Sequence, residues 1–265
     1  MTDTRAPAEP GDDALPWRRR RPRDAGAFLS PAVRRALADS ASVADEVVPF
    51  NTVRRHAAVS LLASKHAAAH ALTCVAADYS AVDAARAARR LTALPFVARA
   101  VIDALREFPY LNASVEGDTL VVHHAVNVGI AVDLDYAGLV VPVIRHADDL
   151  RLPALADRIR EVATRARAKQ LGSDDLTGGT FTITNPGAAG TWMSFPILNA
   201  PQVGILSTDG VAKRVVVDER GGLRILPIGN LCLGFDHRAV DGAYAGAFVS
   251  RVREIIAQRD WAAEL

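Results

Sequence analysis

An apolar run over residues 230–236 stops at His237-Arg238-Ala239-Val240-Asp241-Gly242, and a helical pattern then runs over residues 241–258. A strand that yields to a helix after so short a turn needs a sheet whose apolar face is covered by helices. It also leaves His237 at the rim of that sheet, where a neutral imidazole can take a proton from a hydroxyl or thiol near neutral pH.

The rest of the chain mixes strand-type and helix-type runs without a strict βαβ repeat. Residues 52–65, 81–90 and 95–108 read as helices and residues 70–79 as a strand. Glu116-Gly117-Asp118 separates two short apolar runs and signals a hairpin. Residues 125–133 and 139–144 read as strands, and residues 150–169 as an amphipathic helix with Leu152, Leu155, Ile159 and Val162 on one face. Residues 180–185 are β-rich and end at Pro186-Gly187, a turn signal. Residues 203–206 and 211–217 alternate as strands, and a turn follows at Gly221-Gly222. The expected fold is α+β, a two-layer sandwich of a mixed β-sheet covered by helices. There is no internal repeat and no glycine-rich nucleotide loop.

Composition narrows the function classes. The 265 residues are half hydrophobic, enough for one large domain or two small ones. A formal charge of +1 gives no general reason to expect a nucleic-acid partner. Cys74 and Cys232 are far apart with no partner spacing, which argues against a disulfide framework or a zinc site. No apolar run reaches the roughly 20 residues of a membrane helix, and residues 1–16 are acidic and proline-rich rather than signal-like. A soluble, cytoplasmic protein with no metal, nucleic-acid or membrane partner is expected. Residues 1–25 read as a disordered tail, whose run Arg18, Arg19, Arg20, Arg21 and Arg23 is more simply a solvated face than a nucleic-acid or membrane contact. Ser30-Pro31 opens a short helix over residues 32–39. The expected division is residues 1–25, 26–46 and a catalytic domain over 47–265.

Each candidate residue also has an ordinary reading. A lone histidine is more often a packed or surface residue than a base, and the case for His237 rests on its neighbours. Asp241 is either a plain N-cap of the last helix or a carboxylate that pairs a buried arginine and braces the loop holding His237; the two are compatible. Thr184, in Phe181-Thr182-Ile183-Thr184-Asn185-Pro186-Gly187, is an ordinary strand residue, yet a hydroxyl at a strand end is what an oxyanion donor requires.

Asp236-His237-Arg238-Ala239-Val240-Asp241-Gly242 resembles the His-x-x-x-Asp-Gly motif shared by chloramphenicol acetyltransferase and the acyltransferase components of 2-oxo acid dehydrogenase complexes. The latter are closer, because they carry Asp-His-Arg-x-x-Asp-Gly. Gly178-Gly179-Thr180-Phe181-Thr182-Ile183-Thr184-Asn185 is similar to their Gly-Gly-Thr-Phe-Thr-Ile-Ser-Asn, and Pro196-Ile197-Leu198-Asn199-Ala200-Pro201-Gln202 to their Pro-Ile-x-Asn-x-Pro. Phe108-Pro109-Tyr110-Leu111-Asn112-Ala113-Ser114 and Gly138-Leu139-Val140-Val141-Pro142-Val143-Ile144 also look like family blocks. The resemblance runs in order over residues 47–260, and ordered blocks are far more specific than one short motif.

The resemblance implies the chloramphenicol acetyltransferase-like fold and a CoA-dependent acyltransferase without a permanently bound cofactor, acetyl-CoA being a substrate. It implies that His237 is the general base, that the acceptor attacks the thioester directly, and that Thr184 hydrogen-bonds the tetrahedral oxyanion. Asp241 is implied as the structural carboxylate and Arg54 as its partner, with Arg55 the rival, since Pro49-Phe50-Asn51-Thr52-Val53-Arg54-Arg55 is similar to the family's Pro-Leu-Ser-x-x-Arg-Arg. Arg238, Asn185 and Gly242 are implied as supports. It further implies a homotrimer whose sites lie between subunits, so that His237 and Thr184 of one site come from neighbouring chains.

Some features depart from the family. Residues 1–46 are too short for a lipoyl domain with linkers, although Phe28-Leu29-Ser30-Pro31-Ala32-Val33-Arg34-Arg35 is similar to the opening helix of a subunit-binding domain. Gly204-Ile205-Leu206-Ser207 stands where Ala-Ile-Leu-Gly is usual, and Pro186 follows Asn185 where an apolar residue is usual. Trp261-Ala262-Ala263-Glu264-Leu265 lacks the family's leucine-rich tail, which favours a free trimer over a cage. The first expectation is therefore acetyl transfer from acetyl-CoA to a hydroxyl of a small molecule, similar to the tetronate acetyltransferases of polyketide pathways in natural product biosynthesis. The alternative is the catalytic core of a 2-oxo acid dehydrogenase complex, moving acyl groups between dihydrolipoamide and CoA. A non-catalytic homologue is a third reading, against which the set His237, Asp241 and Thr184 weighs.

Overall fold

Alternation along the strands sorts side chains onto two unlike faces, and that sorting sets the architecture. The structure is a computed structural model and describes residues 47–218 and 220–265, together with Ser30, Pro31, Ala32 and Arg35. Residues 1–51 and 52–265 form separate units. In the first, Pro31, Ala32 and Arg35 are helical and exposed. The predicted tail over residues 1–25 and most of residues 26–46 lie outside the described residues.

The second unit runs α1 (Thr52–Ala67), β1 (His70–Asp78), α2 (Ser80–Arg89), α3 (Leu94–Glu107), β2 (Ala113–Glu116), β3 (Thr119–Val122), β4 (Val128–Ile130) and β5 (Val132–Asp133). It continues through β6 (Leu139–Val140), β7 (Val143–Ile144), α4 (Leu152–Arg167), β8 (Phe181–Thr184), β9 (Gly204–Thr208), β10 (Ala212–Val217), β11 (Leu223–Asp236) and α5 (Gly242–Gln258). The main sheet has the order β1-β11-β9-β8-β4-β7, and β10 pairs with β11. β8 is parallel to both β4 and β9, whereas β11 is antiparallel to β1, β9 and β10. The sheet is therefore mixed, as expected from the sequence.

Phe181, Ile183, Leu206, Leu231, Leu233 and Phe235 point from the sheet into one core with Phe96, Val101, Leu155, Phe248 and Val252 of α3, α4 and α5. The register puts the intervening residues Thr182, Thr184, Ser207, Cys232 and Asp236 on the face away from those helices. Thr184 and Asp236 thus lie on the face of the sheet away from the helices.

Some boundaries differ from the sequence reading. Residues 125–133 break into β4 and β5 because Ala131 N donates to Ile183 O before β5 turns to pair with β6. Residues 139–144 break at Val141-Pro142, where proline supplies no ladder donor. β11 begins seven residues before the predicted start, at Leu223 rather than Asn230; Pro227 and Gly229 look like breakers, but β10 pairs across Pro227 and β1 across Gly229, and the strand runs through both. Among the described residues no helix is long and apolar enough to cross a membrane.

Tyr79 closes the core where β1 meets α2. It is fully buried, and its hydroxyl shares a 3.2 Å hydrogen bond with Thr208 Oγ1. Burial pushes the phenol up to about 12, against the opposing pull of the Thr208 bond. The raised value favours the neutral phenol in the fold, so this stabilisation is complete below the unfolded tyrosine value of about 10 and is lost as pH rises from there through 12. Tyr79→Phe is expected to cost about 1 kcal/mol at pH 7 in urea titrations. It should also flatten the loss of stability between pH 10 and 12.

Candidate active site

His237 is the first residue beyond β11, and its position is fixed through the backbone. Its N–H donates to Ala69 O at 2.9 Å, and its ring centroid lies 5.4 Å from that of Phe235, which anchors in the core. The imidazole is exposed and makes no side-chain hydrogen bond among the described residues. A base so placed can reach an incoming proton without first breaking a bond of its own.

Asp236 holds this corner together. Its carboxylate is nearly buried, at 3% side-chain exposure, and accepts from Ala69 N at 3.2 Å, Arg238 N at 3.0 Å and Arg238 Nη2 at 2.6 Å, with Arg238 Nε bridging both oxygens. Its main-chain oxygen accepts from Ala239 N at 3.0 Å, closing the turn. The backbone on either side of His237 is thus tied to one carboxylate. Burial alone would raise the Asp236 carboxyl, but the Arg238 side chain, Arg238 N and Ala69 N together hold it below the usual carboxylate range. The lowered value favours the ionised form in the fold. That stabilisation is complete above the unfolded value of about 3.9 and is lost as pH falls through the folded one. Asp236→Ala is expected to lower stability by about 2–3 kcal/mol at pH 7, since two backbone donors lose a charged acceptor. Asp236→Asn should flatten the acid limb of the stability profile below about pH 4.

Asp241 has the backbone geometry of an N-cap, φ −87° and ψ 163°, and α5 starts at Gly242. Its side chain is exposed and makes no hydrogen bond or ion pair among the described residues. The pair expected between Asp241 and Arg54 is therefore not formed within the chain, nor is the rival pair with Arg55. Both arginines are exposed in the first turn of α1, and Arg55 Nη2 donates to Thr52 Oγ1 at 3.0 Å. The arginine that serves the His237 loop is Arg238, two residues from its carboxylate. Gly242 faces open space: a Cβ added there would meet no heavy atom within 4 Å, so the chain's own packing does not demand glycine at this position.

Thr184 ends β8, half-buried, and its hydroxyl makes no hydrogen bond among the described residues. Next to it Asn185 Oδ1 accepts from Gly187 N at 3.0 Å, which turns the chain sharply at Pro186. The segment beyond is clamped by buried Asp209, whose carboxylate accepts from Thr191 Oγ1 and Ser194 Oγ, each at 2.6 Å. Asn230 Nδ2 adds a 2.6 Å bond to Trp192 O. A second clamp holds Leu198: Ser64 Oγ donates to its carbonyl at 2.6 Å, and its N–H donates to His70 Nε2 at 3.2 Å. Sequence reasoning missed Asp236, Asp209, His70 and Ser64 as organisers. The one local signal was the Asp236–Arg238 spacing; the other contacts span long stretches of chain.

Register decides whether His237 and Thr184 can meet. Thr184 pairs with Ser207, and Ser207 with Cys232, so Thr184 is level with Cys232 on β11. His237 lies five residues further along, roughly 17 Å, and two strands across, roughly 10 Å. A separation of roughly 20 Å is far beyond what one reacting carbonyl can bridge within a single chain.

Comparison with known proteins places this geometry. Residues 42–262 match the family 2-oxoacid dehydrogenases acyltransferase (catalytic domain). The chain is 34% identical over 231 residues to the lipoamide acyltransferase component of the branched-chain alpha-keto acid dehydrogenase complex of Bacillus subtilis, covering 83% of this chain and 54% of that protein. The chain thus spans about half the length of the curated relatives it matches. A solved structure of a probable dihydrolipoamide acetyltransferase from Listeria monocytogenes superposes with TM-score 0.78 at 33% identity, covering 82% of this chain and 97% of that one. Chloramphenicol acetyltransferase superposes with TM-score 0.50 at 11% identity, covering 80% of this chain and 99% of that one, and shares the fold. By sequence and by fold, the chain belongs to the 2-oxoacid dehydrogenase acyltransferase family and contains its catalytic domain.

Proposed function

We propose that the chain is a CoA-dependent acyltransferase that moves an acyl group between CoA and a dihydrolipoyl thiol. The observation that carries the reading is His237, fixed by its backbone at the end of β11 with its ring unengaged among the described residues, in a chain of this family. The names of the relatives, lipoamide and dihydrolipoyllysine acyltransferases, favour a dithiol acceptor over the tetronate hydroxyl that the departures in sequence suggest.

In the forward direction a ring nitrogen of His237 takes the proton of the attacking thiol. The sulfur forms a bond to the carbonyl carbon of acetyl-CoA, and the carbonyl electrons move onto oxygen. The Thr184 hydroxyl donates a hydrogen bond to that oxyanion. The intermediate collapses, the bond to the CoA sulfur breaks, and the CoA thiolate recovers the proton from the His237 imidazolium. No acyl-enzyme is needed.

The roughly 20 Å between His237 and Thr184 supports a site built by two copies of the chain, the His237 corner of one facing the β8 end of the next. A homotrimer closes such a heterologous contact into a ring. Asp241, Arg54, Arg238, Asn185 and Gly242 take supporting places around it. An Asp241 carboxylate with no partner among the described residues of its own chain is suited to one across that interface.

The purified protein, given acetyl-CoA and free dihydrolipoamide, should form S-acetyldihydrolipoamide and release CoA, followed by thiol titration and mass spectrometry. Transfer to a hydroxymethyl tetronate but not to dihydrolipoamide would move the acceptor to the hydroxyl class. Transfer to neither would sink the reading.

A further inference from the structure

Cys74 and Cys232 are the chain's two cysteines, and the acyl transfer proposed above uses neither. They stand 158 positions apart in sequence, yet β1 and β11 make them direct antiparallel partners. Their Sγ atoms lie 2.9 Å apart, inside the van der Waals separation of two sulfurs. Opposed residues of an antiparallel pair have Cα atoms roughly 4.5–5.5 Å apart, within the roughly 4.4–6.8 Å span that a disulfide bridges. The two strands therefore need no rearrangement to accept a bond. Access is one-sided: Cys232 is buried, whereas Cys74 is half-buried on β1, at the edge of the main sheet.

We propose that Cys74 and Cys232 are a redox-modification site, closing to a reversible cross-strand disulfide by exchange with a low-molecular-weight disulfide such as glutathione disulfide. Cys74, the accessible thiol, loses its proton and attacks one sulfur of the oxidant, forming a mixed disulfide and expelling the first glutathione thiolate. Cys232 then loses its proton and attacks the Cys74 sulfur, expelling the second. Two protein thiols are oxidised and one glutathione disulfide is reduced to two glutathione molecules.

The environment sets the order of events. Burial, reinforced by the contact with Cys74, raises the Cys232 thiol far above the usual range, so Cys232 is a poor first nucleophile and closure is the slow step. The bond would join the strand that ends one residue before His237 to the strand preceded by Ala69, whose carbonyl holds the His237 backbone. Closing so long a loop constrains the unfolded chain strongly, so oxidation stabilises the fold.

The test assumes nothing about acyl transfer. Reduced native protein is incubated with glutathione disulfide, quenched in acid and analysed without reductant. The expected product has lost two hydrogens per chain, shows no free thiol in denaturant, yields a Cys74–Cys232 linked peptide, and reverts with dithiothreitol. Its Tm is expected to rise by roughly 5 °C or more; Cys74→Ser and Cys232→Ser variants should show no such rise with oxidant. Two thiols retained after prolonged exposure, a stable mixed disulfide with glutathione, or a bond between chains would overturn the proposal.

Discussion

Replacement of His237 by alanine is expected to lower kcat for acetyl transfer by about 10²–10⁴-fold, the usual contribution of a positioned general base. The site predicts how that loss should be distributed. The ring is exposed, lies beside Phe235 and makes no side-chain hydrogen bond among the described residues, so its removal should leave the corner intact. Asp236, Ala69 and Arg238 fix the loop through bonds that the substitution does not touch. Stability should therefore stay within about 0.5 kcal/mol of the parent in urea titrations, as for other surface changes. KM for acetyl-CoA should change much less than kcat, because proton transfer matters in the transition state more than in binding. A variant that folds and turns over at the parental rate would remove His237 from the mechanism.

The contrast between His237 and Asp241 shows what a sequence can carry. The strand, turn and helix around His237 are local, and they follow from a run of apolar alternation, a break and a helical pattern within residues 230–258. The helix-covered mixed sheet is legible for the same reason, since periodicity reports which face of each element is apolar. The Arg54–Asp241 pair is a tertiary claim across most of the chain, and no local pattern fixes which guanidinium meets which carboxylate. The structure places Arg238 on Asp236 instead, a neighbour pair that the sequence shows only as part of a motif. Register is equally hidden. Cys74 and Cys232 look unrelated because spacing along the chain says nothing about which residues face each other across β1 and β11. Pro227 and Gly229 conceal half of β11 because their local preference opposes a strand that pairing with β10 and β1 nevertheless completes.

Thr184→Ala is expected to lower kcat by about 10²–10³-fold, the cost of removing one oxyanion donor, while Thr184→Ser should keep most of the rate. The hydroxyl makes no hydrogen bond among the described residues, so alanine leaves no partner unsatisfied and the fold should be little affected. The separation of Thr184 from His237 makes a sharper test possible. Within one chain the two are roughly 20 Å apart by strand register, so a working site takes its base from one copy and its donor from another. A Thr184→Ala chain still supplies His237, and a His237→Ala chain still supplies Thr184. Each variant alone should be nearly inactive. Unfolding and refolding them together in equal amounts should restore about one quarter of the parental activity, because in a randomly mixed ring that fraction of interfaces joins an intact base to an intact donor. Recovery that appears only after co-refolding, and not on simple mixing, would mark the interface as the place of catalysis. Co-refolded material that remains as inactive as the separate variants would place both groups in one chain's site and refute the shared arrangement.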